Sequence, residues 1–307
     1  MPPSADEARR LLCRLGEHVR ALVTGSRGME MSVVAGETVA DTIYAIDRVA
    51  DDALLVWFEE HWPDVRVVSE GLDEPVVVGR KAEWTVIVDT IDGTRGLMYD
   101  KRAAWCLAAA APPDGSLGDV VAAAMTELPT VKQGAADQLS AVRGRGLVTE
   151  RVSLRSGKRD RLAVRPSSAV DLEHSFSGLA KFFLPGKPAL ASLEAELFRR
   201  LGYRHVFDDQ YLATGGQLHE LITGRDRFVA DLRPLVTDDG LACHPYDVCT
   251  SMLLTEAGGV VSDPWGRPLE APLDNASPVA WVGYANEALA TRIGPVLAEL
   301  VDGLQER

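Results

Sequence analysis

The sequence predicts an α/β protein. Three observations carry this. Apolar stripes at helical spacing alternate with short apolar runs of strand length. Several runs between 120 and 155 follow one another through turns short enough for antiparallel pairing. From about residue 165, helix and strand patterns take turns along the chain. With 46% of 307 residues apolar, there is material for a sizeable core. Length alone leaves one large domain or two lobes open; a division into 1–145 and 146–307, with the site at the shared interface, is the expectation.

Taken in order, residues 5–23 predict a helix, with Leu11, Leu12, Leu15, Val19 and Leu22 near helical spacing. The stretch after it has little periodicity. A second helix covers about 44–61 and is stopped by Pro63. Strands are expected at 65–69, 76–78, 85–88 and 105–111, the last ended by Pro112-Pro113-Asp114-Gly115. Antiparallel strands follow at 120–125, 138–142 and 146–155. The second half reads as strand 175–180, helix 190–201, strand 206–207, helix 212–222 opening on Gly215-Gly216, and strand 227–232. A helix at 245–257 stopped by Gly258-Gly259, strands 260–262 and 279–283, and helix 286–303 complete the chain.

The formal net charge of −13 argues against nucleic-acid binding and against an anionic membrane surface, both of which need clustered Lys and Arg. No apolar run is long enough to span a bilayer, and the N-terminus lacks a signal-peptide core, so a cytoplasmic protein is expected. The four cysteines form no CxxC pair; Cys243-His244 and Cys249 are a poor zinc spacing, and free thiols are the expectation. Arg151, Arg155, Lys158, Arg159, Arg161 and Arg165 form a basic cluster, read as a solvated hairpin or, alternatively, a phosphate contact.

Chemistry concentrates in Trp84–Leu97, WTVIVDTIDGTRGL. An apolar strand delivers Asp89, and Asp92, Gly93 and Thr94 follow in a turn. Two carboxylates three apart can serve one hard cation, and the N–H groups of Gly93 and Thr94 suit an anion. Glu70 likewise follows a short apolar strand. Asp247 precedes a helix, either as its N-cap or as a further ligand. Asp41 and Asp47 enter the second helix; they can cap it, or Asp47 can orient the Thr94 hydroxyl as a base without histidine. Gln217, His219 and Glu220 face substrate or only solvent, and Arg233 supplies a cation or merely partners Asp231.

These residues, in this order, resemble the inositol monophosphatase family of the inositol monophosphatase/fructose-1,6-bisphosphatase superfamily. Val88-Asp89-Thr90-Ile91-Asp92-Gly93-Thr94 matches its first signature. Tyr246-Asp247 with Glu256-Ala257-Gly258-Gly259 matches its second. Glu70-Gly71 stands where Glu-Glu is usual, and Asp41 and Asp47 match its helix entry. The resemblance implies a layered α/β sandwich with mixed sheets between helix layers, commonly a homodimer. It implies a Mg2+-dependent phosphomonoesterase using two or three ions, with Mn2+ as a substitute. Glu70, Asp89, the Ile91 carbonyl, Asp92 and Asp247 would be the metal ligands. Asp92, Gly93, Thr94 and Asp247 would bind substrate phosphate, and Asp47, Thr94 and Glu70 would be the catalytic set. A small polyol or sugar phosphate is the expected substrate. A fructose-1,6-bisphosphatase or nucleotide 3′-phosphatase is the alternative, and a catalytically silent regulatory homologue the second. Three departures stand out. Thr90 replaces a proline and Tyr246 a tryptophan. Gly240 stands where typical members have a substrate-contacting glutamate, with Asp238 or Asp239 as substitutes.

Overall fold

The computed structural model describes residues 2–26, 34–37, 42–209, 211–237 and 242–305; for 34–37, 42–49, 52 and 305 the backbone alone is described. Asp41, Asp238, Asp239 and Gly240 lie outside the described residues, as does the side chain of Asp47.

Helix α1 (Ala5–Gly25) begins at a capping box in which Ser4 and Glu7 satisfy each other's backbone N–H groups. A short hairpin of β1 (Val34–Glu37) and β2 (Thr42–Tyr44) precedes α2 (Ala45–His61). It falls in the stretch that shows no periodicity. Strands β3 (Val65–Ser69), β4 (Val76–Val78), β5 (Trp84–Asp92), β6 (Ala104–Ala111), β7 (Ala122–Leu128), β8 (Ala135–Val142), β9 (Leu147–Ser153) and β10 (Arg159–Arg161) form one mixed sheet. Its order is β10-β9-β8-β7-β6-β5-β3-β4, with β3 and β5 parallel and the other pairs antiparallel. The five-residue helix α3 (Thr94–Met98) sits between β5 and β6.

The second sheet has the order β12-β11-β13-β15-β14 and is also mixed. Its strands are β11 (Ser175–Leu179), β12 (Val206–Phe207), β13 (Asp226–Asp231), β14 (Val260–Ser262) and β15 (Trp281–Tyr284). Helices α4 (Lys187–Leu201), α5 (Thr214–Ile222), α6 (Pro245–Val248), α7 (Met252–Glu256) and α8 (Glu287–Gln305) complete the chain.

Strand alternation sorts the core into layers. In β6, Ala104, Cys106, Ala108 and Ala110 face one cluster with Leu12, Leu15, Val19, Leu54 and Phe58 of α1 and α2. Trp105, Leu107, Ala109 and Ala111 face the other way, onto Leu218 and Leu221 of α5, Leu253 and Leu254 of α7, and Val229 and Trp281 of the second sheet. The far face of that sheet is covered by Leu190 and Leu197 of α4 and Leu289, Ile293 and Leu297 of α8. The result is helices, sheet, helices, sheet, helices. No helix among the described residues is long and apolar enough to cross a membrane.

The β1–β2 hairpin and β10 lie where no strand is expected, and two expected elements differ in extent. The strand expected at 85–88 runs on to Asp92, because the chain bulges against β6 instead of turning at Asp89. The helix expected at 245–257 is two short helices. Between them Ser251, Leu253 and Leu254 bond three residues back, to Val248, Thr250 and Ser251, which tightens the turn and ends regular α geometry.

Candidate metal centre at the strand ends

Residues three apart in a regular strand point to opposite faces. In β5 they do not, because the register against β6 shifts between Asp89, opposite Leu107, and Asp92, opposite Trp105. Leu107 and Trp105 share the face toward the second sheet, so the bulge turns both aspartates that way. The Ile91 N–H, released from the ladder, donates to Asp89 Oδ1 at 3.0 Å. Gly93 then takes φ 96°, a left-handed conformation open to glycine, and starts α3.

Asp247 arrives from α6. It is not the N-cap; His244 is, and Asp247 sits three residues on, its Oδ2 accepting the His244 N–H at 2.6 Å. Asp89, Asp92 and Asp247 each bring a carboxylate oxygen within 4.8 Å of the others. Burial, and then the Asp92 charge, hold Asp247 above the ordinary carboxylate range. Burial raises Asp92 likewise, opposed by N–H donation from Gly215, at 2.6 Å, and from Thr214. A Cβ at Gly215 would stand 2.8 Å from Asp92 Oδ2, so glycine is what lets the first turn of α5 reach this carboxylate. The buried Arg233 has its guanidinium on Asp231, at 2.9 Å from Nε to Oδ1, and lends its charge to Asp92 and Asp247 from there. The pairing with Asp231 is the reading of Arg233 that the geometry shows.

Glu70 follows β3 directly. The parallel register sets Ser69 beside Val88, so Glu70 leaves the sheet next to Asp89. It stands outside the three-carboxylate group, and its charge reaches Tyr246. Thr94 opens α3 and donates its hydroxyl to the Ile91 carbonyl at 2.8 Å. Asp47 lies in the first turn of α2. Tyr246 is buried, stacked on His244, with its hydroxyl 3.2 Å from His244 Nδ1.

Two buried carboxylates and a half-buried third, with so little compensating positive charge, fit a bound cation, and the all-oxygen donor set fits a hard one. The cysteines do not fit zinc: Cys106, Cys243 and Cys249 are buried free thiols raised by burial, and none joins a metal-holding group among the described residues. Glu173, His174 and His205 also cluster at the surface, but the two imidazoles stack 12° from parallel, so their lone pairs do not converge on a point.

The remaining candidates separate. His219 is buried in the core, against Trp105 and 3.4 Å from Asp137. Gln217, also buried, borders a cavity of about 250 Å3 between β11 and α5, and its Oε1 has no hydrogen-bond partner among the described residues. The basic cluster lies at the β9–β10 edge, where Arg151 pairs with Asp137 and Arg159 with Glu17 and Glu150, as a solvated hairpin would have it. Thr214 and Gly215 went unrecognised as partners of Asp92, although Gly215-Gly216 at a helix start was the visible signal. Asp51, whose carboxylate accepts the Thr90 hydroxyl at 3.0 Å, was missed altogether.

Two mixed sheets interleaved with helices match the fold of solved inositol monophosphatase and fructose-1,6-bisphosphatase structures. The chain belongs to the inositol monophosphatase family, whose profile matches residues 5–300. Among solved structures it is similar to the extragenic suppressor protein SuhB of Bartonella henselae, at 17% identity and TM-score 0.71, covering 95% of this chain and 98% of that one. An IMPase of Thermotoga maritima is 20% identical, with TM-score 0.64 and 97% and 98% coverage. The fructose-1,6-bisphosphatase of Leishmania major is 12% identical, with TM-score 0.68 and 97% and 93% coverage. No curated protein sequence matches the chain.

Proposed function

We propose that the protein is a Mg2+-dependent phosphomonoesterase acting on a small polyol or sugar phosphate. The observation that carries this is the group of buried Asp89 and Asp92 and half-buried Asp247, whose carboxylate oxygens lie within 4.8 Å of one another. Those three, with Glu70 and the Ile91 carbonyl, are the residues that would hold Mg2+. When bound, the ion neutralises phosphoryl charge and acidifies water. The Gly93 and Thr94 N–H groups at the start of α3 hold the phosphate oxygens. Thr94, whose hydroxyl donates to the Ile91 carbonyl, would together with Asp47 activate the attacking water. A catalytically silent homologue would have little reason to keep three carboxyl groups crowded together.

Phosphate release is to be measured on inositol monophosphates, sugar monophosphates, fructose 1,6-bisphosphate and adenosine 3′,5′-bisphosphate, each with Mg2+ and with EDTA. Turnover of a monophosphate in Mg2+ alone is expected, and Asp89→Asn should lower it about 10³-fold or more. Preference for either bisphosphate would move the assignment to that activity. No turnover of any ester by a protein that binds Mg2+ would sink the enzyme reading.

A further inference from the structure

Two of the departures from the family pattern, Gly71 and Thr90, meet at one side chain that neither motif contains. Asp51 lies on α2, one helical turn beyond Asp47. Its Oδ1 accepts the Thr90 hydroxyl at 3.0 Å. Its Oδ2 lies 1.8 Å from where a Cβ at position 71 would be, so the carboxylate fills the space that any side chain there would enter. Gly71 directly follows Glu70, and Thr90 stands between Asp89 and Asp92. Thr90 itself is buried. Strands β3 and β5 are parallel neighbours, so both contacts fall at adjoining ends of one sheet.

We propose that Asp51 is a positioning residue for the metal centre, a carboxylate that reaches from α2 and fixes the two strand ends bearing Glu70, Asp89 and Asp92. The proposal rests on the metal-dependent reading of that site. The local chemistry supports it. Proline would fix the backbone at position 90 without help, through its ring. Threonine does not, and its hydroxyl instead needs an acceptor, which Asp51 supplies. Glycine at 71 is then explained by space and not by backbone conformation, since its φ lies outside the left-handed range. Groups that orient ligands in this way typically change metal affinity by about 10–100-fold when removed.

The test is Mg2+ titration by calorimetry on four variants, alongside the Tm of each in EDTA. Asp51→Ala removes the carboxylate. Gly71→Ala leaves it in place and displaces it. Thr90→Val removes only the hydroxyl, and Thr90→Ser keeps it. The first three are expected to weaken Mg2+ binding by about ten-fold or more. Their turnover should return toward wild type when Mg2+ is raised, while Thr90→Ser stays near wild type. The double variant Asp51→Ala/Gly71→Ala should be no worse than the poorer single one, because both act on the same carboxylate. Unchanged Mg2+ affinity in Asp51→Ala and Thr90→Val, or a loss confined to Tm in EDTA, overturns the proposal and leaves the functional reading standing. If the wild-type protein itself binds no Mg2+, the functional reading fails, and this inference with it.

Discussion

At the residue scale, the acidic centre is a liability that the fold sustains for its use. Asp92 is 5% exposed, accepts two backbone N–H groups, and is still held above the ordinary carboxylate range by its burial. Replacing it with Asn keeps an acceptor for Gly215 and removes a buried charge. Asp92→Asn should therefore stabilise the metal-free protein by about 1 kcal/mol or more, a rise of about 2–4 °C in Tm in EDTA. If Mg2+ binds as proposed, the wild type should gain Tm with Mg2+ and this variant should not, which differential scanning fluorimetry will read directly. A fall in the EDTA Tm would show that the carboxylate is satisfied by the protein alone.

At the scale of elements, the strongest periodic signals were legible and the irregular ones were not. The apolar stripe of α1, the run of β3 and the glycine stop after α4 announce themselves in sequence. The continuation of β5 through Asp92 does not, because a bulge is a matter of pairing with β6 and leaves no local mark. The break between α6 and α7 is similar: Val248 to Leu254 contains no Gly or Pro to mark it, and the tightened turns divide it. The site was legible as a set of carboxylates, since Asp89, Asp92 and Asp247 each sit beside a recognisable strand or turn. Asp51 was hidden among the ordinary polar residues of a helix, its role set by Thr90 and Gly71 far along the chain. Close packing of elements also has consequences at single positions. A Cβ on Gly16 of α1 would lie 2.2 Å from Thr126 Oγ1 and 2.7 Å from Thr126 Cβ on β7. Thr126 is β-branched and buried, and its hydroxyl accepts from Gln138 Nε2 at 2.9 Å, so it cannot move aside. Gly16→Ala should therefore cost about 1–3 kcal/mol in urea unfolding, against the gain in helix propensity that the same change brings at an open site.

At the scale of the whole molecule, stability carries a pH dependence that originates away from the acidic centre. Asp226, at the start of β13, is pushed up to about 7 by burial and by the Glu220 and Asp209 charges. A carboxyl raised in the folded state contributes stability that is complete below its unfolded value near 4 and is lost as pH climbs through about 7. Asp226→Asn removes that loss. The variant should melt about 4 °C above wild type at pH 8.5, taking about half the full value of such a shift, and the difference should shrink steadily toward pH 4. Equal melting temperatures at pH 8.5 would mean that the group ionises without penalty. The docking of α5 on Asp92 has a different kind of consequence. Asp89 and Asp92 belong to the first sheet, Asp247 to a helix between the sheets, and the N–H groups that steady Asp92 to another such helix. No continuous fragment holds all of these parts. On the proposed function, correct assembly of both sheets is thus a precondition for loading an ion, and the site would act as a checksum on folding, leaving incompletely assembled chains silent.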